Sequence, residues 1–283
     1  MIDETVAEIA DMQTHSSSVV AVKAARALLA LSDREYPTVA EYLRALEQNS
    51  DALRRANISH ASLQTTQREV VERVTDGDPE SVAAAKLLTE DVVTEIVERV
   101  EQAKRRAAER AAGRLGDGET VFTHDYSSTV LAALRTAVAG GTDLTVYCSE
   151  ARPRFLGRKM TRALAAIDGI EPHLTVDGAC GTFLSECDRV LVGMDCIVDG
   201  TLYNRVGTYP LAATAADVGV PVHVVGAASK VVESGFVFEN EHRSISEVIR
   251  EPSDDFVVEN PAYDATPVRL VEDVTTDDGI REF

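Results

Sequence analysis

The sequence has no run of about 18 apolar residues, the length a helix needs to span a bilayer, so no membrane span is expected. Its opening, MIDETVAEIADMQ, is acidic and lacks the basic-then-apolar order of a secretory signal, so a cytoplasmic chain is expected. Lysine is scarce and occurs only at positions 23, 86, 104, 159 and 230. The four cysteines, Cys148, Cys180, Cys187 and Cys196, form no CxxC pair, and no Cys/His spacing suits zinc. No metal or other cofactor is expected, and no disulfide in a cytoplasmic chain. There is no GxGxxG after the first strand-like run and no P-loop, so the usual cradles for dinucleotides and triphosphates are missing. A nucleophile elbow and a Ser-His-Asp order are also absent.

Acid, by contrast, is abundant. Asp and Glu number 47 against 28 Lys and Arg, a net charge of −19. Such a field disfavours direct nucleic-acid or anionic-membrane binding. The acid is spread along the whole chain, as fits adaptation to high salt, where ions screen the self-repulsion. The apolar share of 45% suffices for a core, and 283 residues allow one large domain or two ordinary ones.

Two rhythms divide the chain. Up to about residue 115 the periods are helical. Ser16-Ser17-Ser18 precede an apolar run, and Pro37 suits the first turn of TVAEYLRALEQN. Val82, Ala85, Leu88, Val92, Ile96, Val100 and Ala103 follow steps of three and four. Beyond Gly118 short apolar runs alternate with helical stretches. The sequence predicts a strand at VFTH, DLTVYCS, HLTV, RVLVGMD and VPVHVVGA, with helices between, and further strands at DFVVEN and VEDVTT. The expected fold is α/β: an N-terminal helical domain over 1–116, then a doubly wound, mostly parallel Rossmann-like sheet domain over 117–283. In such a sheet a ligand lies at the carboxyl ends of the strands.

Those ends carry the candidate chemistry. Asp195 closes RVLVGMD and can act as acid or base, or cap the next turn. Asn204, Arg205, Gly207 and Thr208 precede a helix and fit a phosphate or sugar-hydroxyl clamp. Arg152, Arg154, Arg158 and Lys159 follow the second strand. They read as an anion site near the crevice, or, for Arg158 and Lys159, as a solvated helical turn. His124 can be a base or a hydrogen-bonded strand-end residue. Asp177-Gly178 and Asp199-Gly200 read as turns, and Cys148 and Cys196 as buried small hydrophobes.

The stretches VFTHDYSSTVLAAL, VYCSEARPRFLGRKMTRAL, LTVDGACGTFL and NPAYDATP, with GMD followed after eight residues by NRVGT, occur in one order over the last two-thirds of the chain. In this they resemble the translation initiation factor 2B alpha, beta and delta subunit family. That family also contains methylthioribose-1-phosphate and ribose-1,5-bisphosphate isomerases. The resemblance implies a catalytic aspartate at Asp195, with Asn204 and Arg205 on the ligand. The family has lysine at the Arg205 position. The isomerases use a cysteine just after the Thr-His pair; here that position is Asp125. Their phosphate-holding Arg-Gly-Ala stretch is replaced by His15-Ser16-Ser17-Ser18.

These departures place the chain nearer the non-catalytic initiation-factor members, as a halophilic archaeal form. The implied function is a regulatory protein that binds a sugar phosphate or nucleotide. Its implied partners are a second copy or related subunits, and initiation factor 2. The alternative is an aldose–ketose isomerase for a phosphorylated pentose such as ribose-1,5-bisphosphate, with Asp195, and Asp125 at the thiol position, as its acid–base groups.

Overall fold

A computed structural model describes residues 2–11, 17–58, 60–232, 237–251, 253 and 255–283. It divides into two compact units, 1–102 and 103–283. The first is helical: α1 (Ile2–Asp11), α2 (Ser17–Leu28), α3 (Val39–Ala56), α4 (Ala61–Asp76) and most of α5 (Val82–Ala112). Thr38 caps α3 by accepting the Glu41 N–H at 3.2 Å. Pro37 therefore lies before the cap and not in the first turn, because the Thr38 hydroxyl is the better stop for the orphan amides. Leu46, Leu53, Leu63, Val70, Val92 and Ile96 meet in one core. Within it the Tyr42 hydroxyl donates to Thr89 Oγ1 at 2.8 Å, so the buried phenol is satisfied.

The unit boundary falls inside α5 rather than at the Gly116 turn. Ala107, Ala108, Ala111 and Ala112 share a core with Val121, Val130 and Val146, so the last turns of the helix belong to the sheet unit. That unit runs β1 (Glu119–His124), α6 (Ser128–Ala139), β2 (Leu144–Ser149), α7 (Leu156–Leu164), β3 (Ile170–Thr175), α8 (Cys180–Phe183), β4 (Arg189–Val192), β5 (Cys196–Val198), β6 (Thr201–Arg205), α9 (Thr208–Val218), β7 (Val222–Val225), β8 (Val231–Val232), β9 (Tyr263–Pro267), β10 (Asp273–Thr275) and β11 (Ile280–Glu282).

Seven strands form one sheet in the order β11-β10-β7-β4-β1-β2-β3, parallel except for the β10–β11 pair. Alternation sets its two faces: Val121, Val146 and Leu191 enter one core, and Phe122, Val190 and Val192 the other. Helices cover both faces, as doubly wound topology requires. Pro172 is tolerated in β3 because that strand is an edge.

A second sheet, β8-β5-β6-β9, was not expected. The β5–β6 hairpin turns at Asp199-Gly200, both at positive φ of 46° and 72°, the geometry of a two-residue hairpin loop. The sequence-based strand at DFVVEN does not form. Val257 is 83% exposed, with no layer to pack on, while VEDVTT supplies β10. GACGTFLSE yields only the single turn α8, flanked by 3-10 turns. Among the described residues no helix is long and apolar enough to cross a membrane.

One buried charge network ties β10 to the sheet. Asp273 is 3% exposed; it accepts from Arg114 at 2.7 and 2.6 Å and pairs with His223 Nδ1 at 2.8 Å. Burial would raise its carboxyl, but Arg114 and His223 outweigh that and hold it below the usual carboxylate range. Burial pushes the His223 ring below its ordinary value against the pull of Asp273. Both shifts act in one direction, because the unfolded chain binds more protons as pH falls. Stability therefore declines below about pH 6.5 as the unfolded histidine charges, and again below about pH 4 as Asp273 protonates. Asp273→Ala strands Arg114 and is expected to cost about 3–5 kcal/mol in denaturant titrations. A loss under about 1 kcal/mol would reject the network as a stabiliser.

Candidate functional site

Strand order reverses between β1 and β4, and a crevice opens there at the carboxyl ends. His124 and Asp125 leave β1; Met194 and Asp195 follow β4. The β5–β6 hairpin then brings Asn204 and Arg205 back over the same point, and the Asp195 N–H donates to Tyr203 O at 3.0 Å.

Asp125 adopts a left-handed φ of 63°, a conformation that Asp tolerates better than most side chains. Ala151 and Phe155, in the loop after β2, do the same at 58° and 57°. Strained backbone of this kind gathers where a structure holds groups for use. Asp125 is buried, and burial pushes its carboxyl above the usual range despite Arg205 and His124.

Arg205 stands between the two carboxylates. Its Nε is 3.8 Å from Asp125 Oδ2 and 3.9 Å from Asp195 Oδ2, ion pairs too long for hydrogen bonds. Its guanidinium lies over the Tyr263 ring, 4.7 Å from the centroid. Burial works against the charge, but Asp195, Tyr263 and Asp125 together hold the guanidinium above its ordinary value. The centre is thus a fixed cation shared by two acids, one of them raised toward the neutral form.

His124 is committed to structure. Its Nε2 is 2.8 Å from Val206 O and its Nδ1 is 2.6 Å from Ser149 Oγ. A carbonyl only accepts, so Nε2 carries a proton and donates to Val206 O. Gly207 is required beside it: at φ 106° a Cβ would lie 2.6 Å from the imidazole.

The N-terminus of α9 already holds an anion, the chain's own Asp264. Its Oδ2 accepts from Gly207 N at 2.8 Å and Tyr209 N at 2.9 Å. Asn204 Nδ2 donates to Thr208 Oγ1 at 3.1 Å, and that hydroxyl donates to Arg205 O at 2.7 Å. Gly207 and Thr208 therefore shape the hairpin rather than present free donors. Of the clamp read from the sequence, Arg205 is the member that faces both acids.

After β2, Asp177 accepts the Ala151 and Arg152 amides at 2.7 Å each and fixes the loop. Arg152 and Arg154 line a cavity with Asp125, Arg205, Arg243 and Glu247. Its free volume is about 20 Å³, room for a single water. Arg158 pairs with Glu150 at 2.6 Å, and Lys159 lies 4.3 Å from the Tyr126 ring centroid, so both tie α7 to the segments that follow β2 and β1. Cys148 is buried, and burial pushes its thiol up to about 12, too high for a thiolate nucleophile.

Lys230 escaped the sequence reading. Its Nζ donates to Met194 O at 2.7 Å, next to Asp195. Burial pulls the ammonium below its ordinary value although Asp195 opposes the shift. The available signal was a lysine, in a lysine-poor chain, three residues beyond the strand-end Ala227. His15 and Ser16 lie outside the described residues; Ser17 and Ser18 begin α2.

A protein of Haloterrigena turkmenica named ribose 1,5-bisphosphate isomerase is 34% identical over 97% of this chain and 88% of its own length. A protein of Haloferax volcanii with the same name is 30% identical over 98% and 88%. A crystal structure of the Pyrococcus horikoshii translation initiation factor eIF-2B superposes with a TM-score of 0.81 at 26% identity, covering 99% of this chain and 96% of that one. The reversed sheet, the acid that follows β4 and the hairpin that carries Asn-Arg are one continuous arrangement, and residues 13–282 match as a whole: the chain belongs to the initiation factor 2 subunit family.

Proposed function

We propose that the chain is an aldose–ketose isomerase for a phosphorylated pentose such as ribose 1,5-bisphosphate. The observation that carries this is the pair Asp125 and Asp195 on either side of Arg205 in the switch-point crevice. The isomerase name of the Haloterrigena and Haloferax relatives weighs for it over a regulator without turnover.

The chemistry needs two proton-transfer groups and a cation. Asp195 takes the C2 proton, and that electron pair forms C1=C2 as the C1–O4 ring bond breaks. Asp125, whose carboxyl burial holds above the usual range, gives O4 its proton. The O2 proton then returns to Asp125 as C2=O forms, and C1 takes the proton held by Asp195. The product is the 2-ketose, and Arg205 balances the charge that develops on O2. The test is to incubate the protein with ribose 1,5-bisphosphate and follow the ketose by phosphorus NMR; no turnover at any salt concentration would overturn the reading.

A second reading is favoured by Asp125 itself, which stands where the related isomerases use a thiol. On that reading the crevice binds a sugar phosphate or nucleotide without converting it, and the surface contacts initiation factor 2. Thermal stabilisation by the sugar bisphosphate without turnover would support it.

The proposal includes a high-salt habitat and self-association. The charge of −19 is expected to make folding salt-dependent, with Tm rising from low to molar KCl. A Tm indifferent to salt rejects the adaptation. Leu174 and Val176, 49% and 58% exposed at the edge strand β3, support a contact with a second copy. Sedimentation through the same salt series reads it, and a monomer throughout would rule it out.

A further inference from the structure

Arg205 meets its acids differently from the other paired arginines of the sheet unit. Arg114 closes on Asp273 at 2.6 and 2.7 Å, and Arg158 on Glu150 at 2.6 Å. These are the short contacts that a guanidinium and a carboxylate reach when nothing intervenes. Arg205 Nε stops 3.8 Å from Asp125 and 3.9 Å from Asp195, so no hydrogen bond to either acid fixes it.

What does lie against it is the face of Tyr263, whose centroid is 4.7 Å from the guanidinium carbon. Arg205 and Tyr263 are paired directly across β6 and β9, so their side chains stand together on one face. The ring is buried and itself firmly held. Phe238 meets it edge-on at 5.1 Å and 88°, and Tyr203 stacks on Phe238 at 4.0 Å. Asn240 grips the Tyr263 backbone twice: its Nδ2 donates to Tyr263 O at 2.8 Å, and its Oδ1 accepts from Tyr263 N at 3.2 Å. One residue on, Asp264 ties β9 to the start of α9. These supports fix the plane of the ring, and the ring sets the plane of the guanidinium. Burial, then Asp195, hold the phenol above its ordinary value, so the ring is neutral and offers Arg205 its negative face.

We propose that Tyr263 is a positioning residue for the reaction: its ring holds Arg205 astride Asp125 and Asp195 and keeps it from closing on either. The inference rests on the isomerase reading above. A guanidinium closed on Asp195 would occupy the lone pairs that must take the C2 proton. One closed on Asp125 would favour the charged form of a carboxyl that has to donate. Held between them, Arg205 leaves both acids free to exchange protons and stays aimed at the charge that develops on O2.

The test compares Tyr263→Leu, which removes the ring, with Tyr263→Phe, which puts one back, by turnover of ribose 1,5-bisphosphate on the full chain. Tyr263→Leu is expected to lower kcat by about tenfold or more while KM moves by less than about threefold. Tyr263→Phe should recover at least about half of the wild-type rate, because its ring also takes a cation. A kcat for Tyr263→Leu within about twofold of wild type overturns the proposal, as does a Tyr263→Phe no faster than Tyr263→Leu. A ring that only packs would matter equally whichever cation stands beside it. Lysine has no plane for the ring to set, so adding Tyr263→Leu to Arg205→Lys should cost less than about twofold in kcat. The same loss in both backgrounds overturns the proposal. Where Tyr263→Leu does not fold, Tyr263→Met fills the space without a ring face and carries the same expectations.

A readout without turnover separates the two readings. Asp125 faces Arg205, His124, Asp195 and Arg154, and its carboxyl titration is followed by carbon-13 NMR, assigned with Asp125→Asn. Arg205 closing on Asp125 lowers the midpoint, and closing on Asp195 raises it. A shift of about half a pH unit or more is therefore expected in Tyr263→Leu, and an unmoved midpoint overturns the proposal. Wild-type turnover with kcat and midpoint both unchanged in Tyr263→Leu retires the role of the ring and leaves the isomerase. A moved midpoint with no turnover by the wild type retires the isomerase and leaves the ring as the holder of Arg205.

Discussion

Asp195→Asn is expected to lower kcat for ribose 1,5-bisphosphate by about 10²- to 10⁴-fold while the chain stays folded, the range for loss of a positioned acid–base group. The amide keeps the shape of the carboxylate but cannot take the C2 proton. Its companion, Asp125→Asn, removes the acid and should alter the pH profile. The Asp125 carboxyl is raised by burial, so the proton-donating form persists above the usual carboxylate range and activity falls as pH rises through the shifted value. The Asn variant should lose that alkaline limb along with most of its rate. Solvent-deuterium incorporation at C1 of the ketose reads the proton shuttle directly. Retention of more than a tenth of wild-type kcat in Asp195→Asn would remove this residue from the chemistry.

Gly157→Ala is expected to be the most damaging single methyl in the sheet unit. A Cβ there would lie 1.8 Å from Ser149 O and within 3 Å of two backbone carbons. These are main-chain atoms at the end of β2, so no rotamer relieves the clash. Either α7 lifts from the sheet or the Ser149–Glu150 peptide shifts. The cost should reach roughly 3 kcal/mol or more in denaturant unfolding. The loop carrying Arg152 and Arg154, which lines the cavity beside Asp125, lies between these two points, so turnover of ribose 1,5-bisphosphate should fail before global unfolding. A variant as stable as the wild type would mean that α7 does not sit on β2 at this distance.

Much of the sheet unit was legible because alternation is local. Val121 and Phe122 face opposite cores as neighbouring strand residues must. Asp199-Gly200 was legible as a turn, but the strands on either side of it were not. Cys196–Val198 is three residues long, and Thr201–Arg205 mixes polar and apolar side chains. So short a run carries no period of its own, and its stability comes from β9, far along the chain. DFVVEN failed in the opposite sense, with strand-like residues but no partner strand.

The sequence by itself determined the layers, the parallel sense of the main strands and the strand ends at which Asp125 and Asp195 sit, because residue periodicity and turn chemistry act over neighbouring positions. It also carried the family resemblance. Only the tertiary structure decided what those ends touch. Arg205 lies between two acids that are 70 residues apart in sequence, Asp264 already fills the α9 N-terminus, and Arg154 meets Arg243 around a single cavity. Charge acts through space at a few ångströms, and the chain reaches those distances only after the β5–β6 hairpin folds back over the crevice.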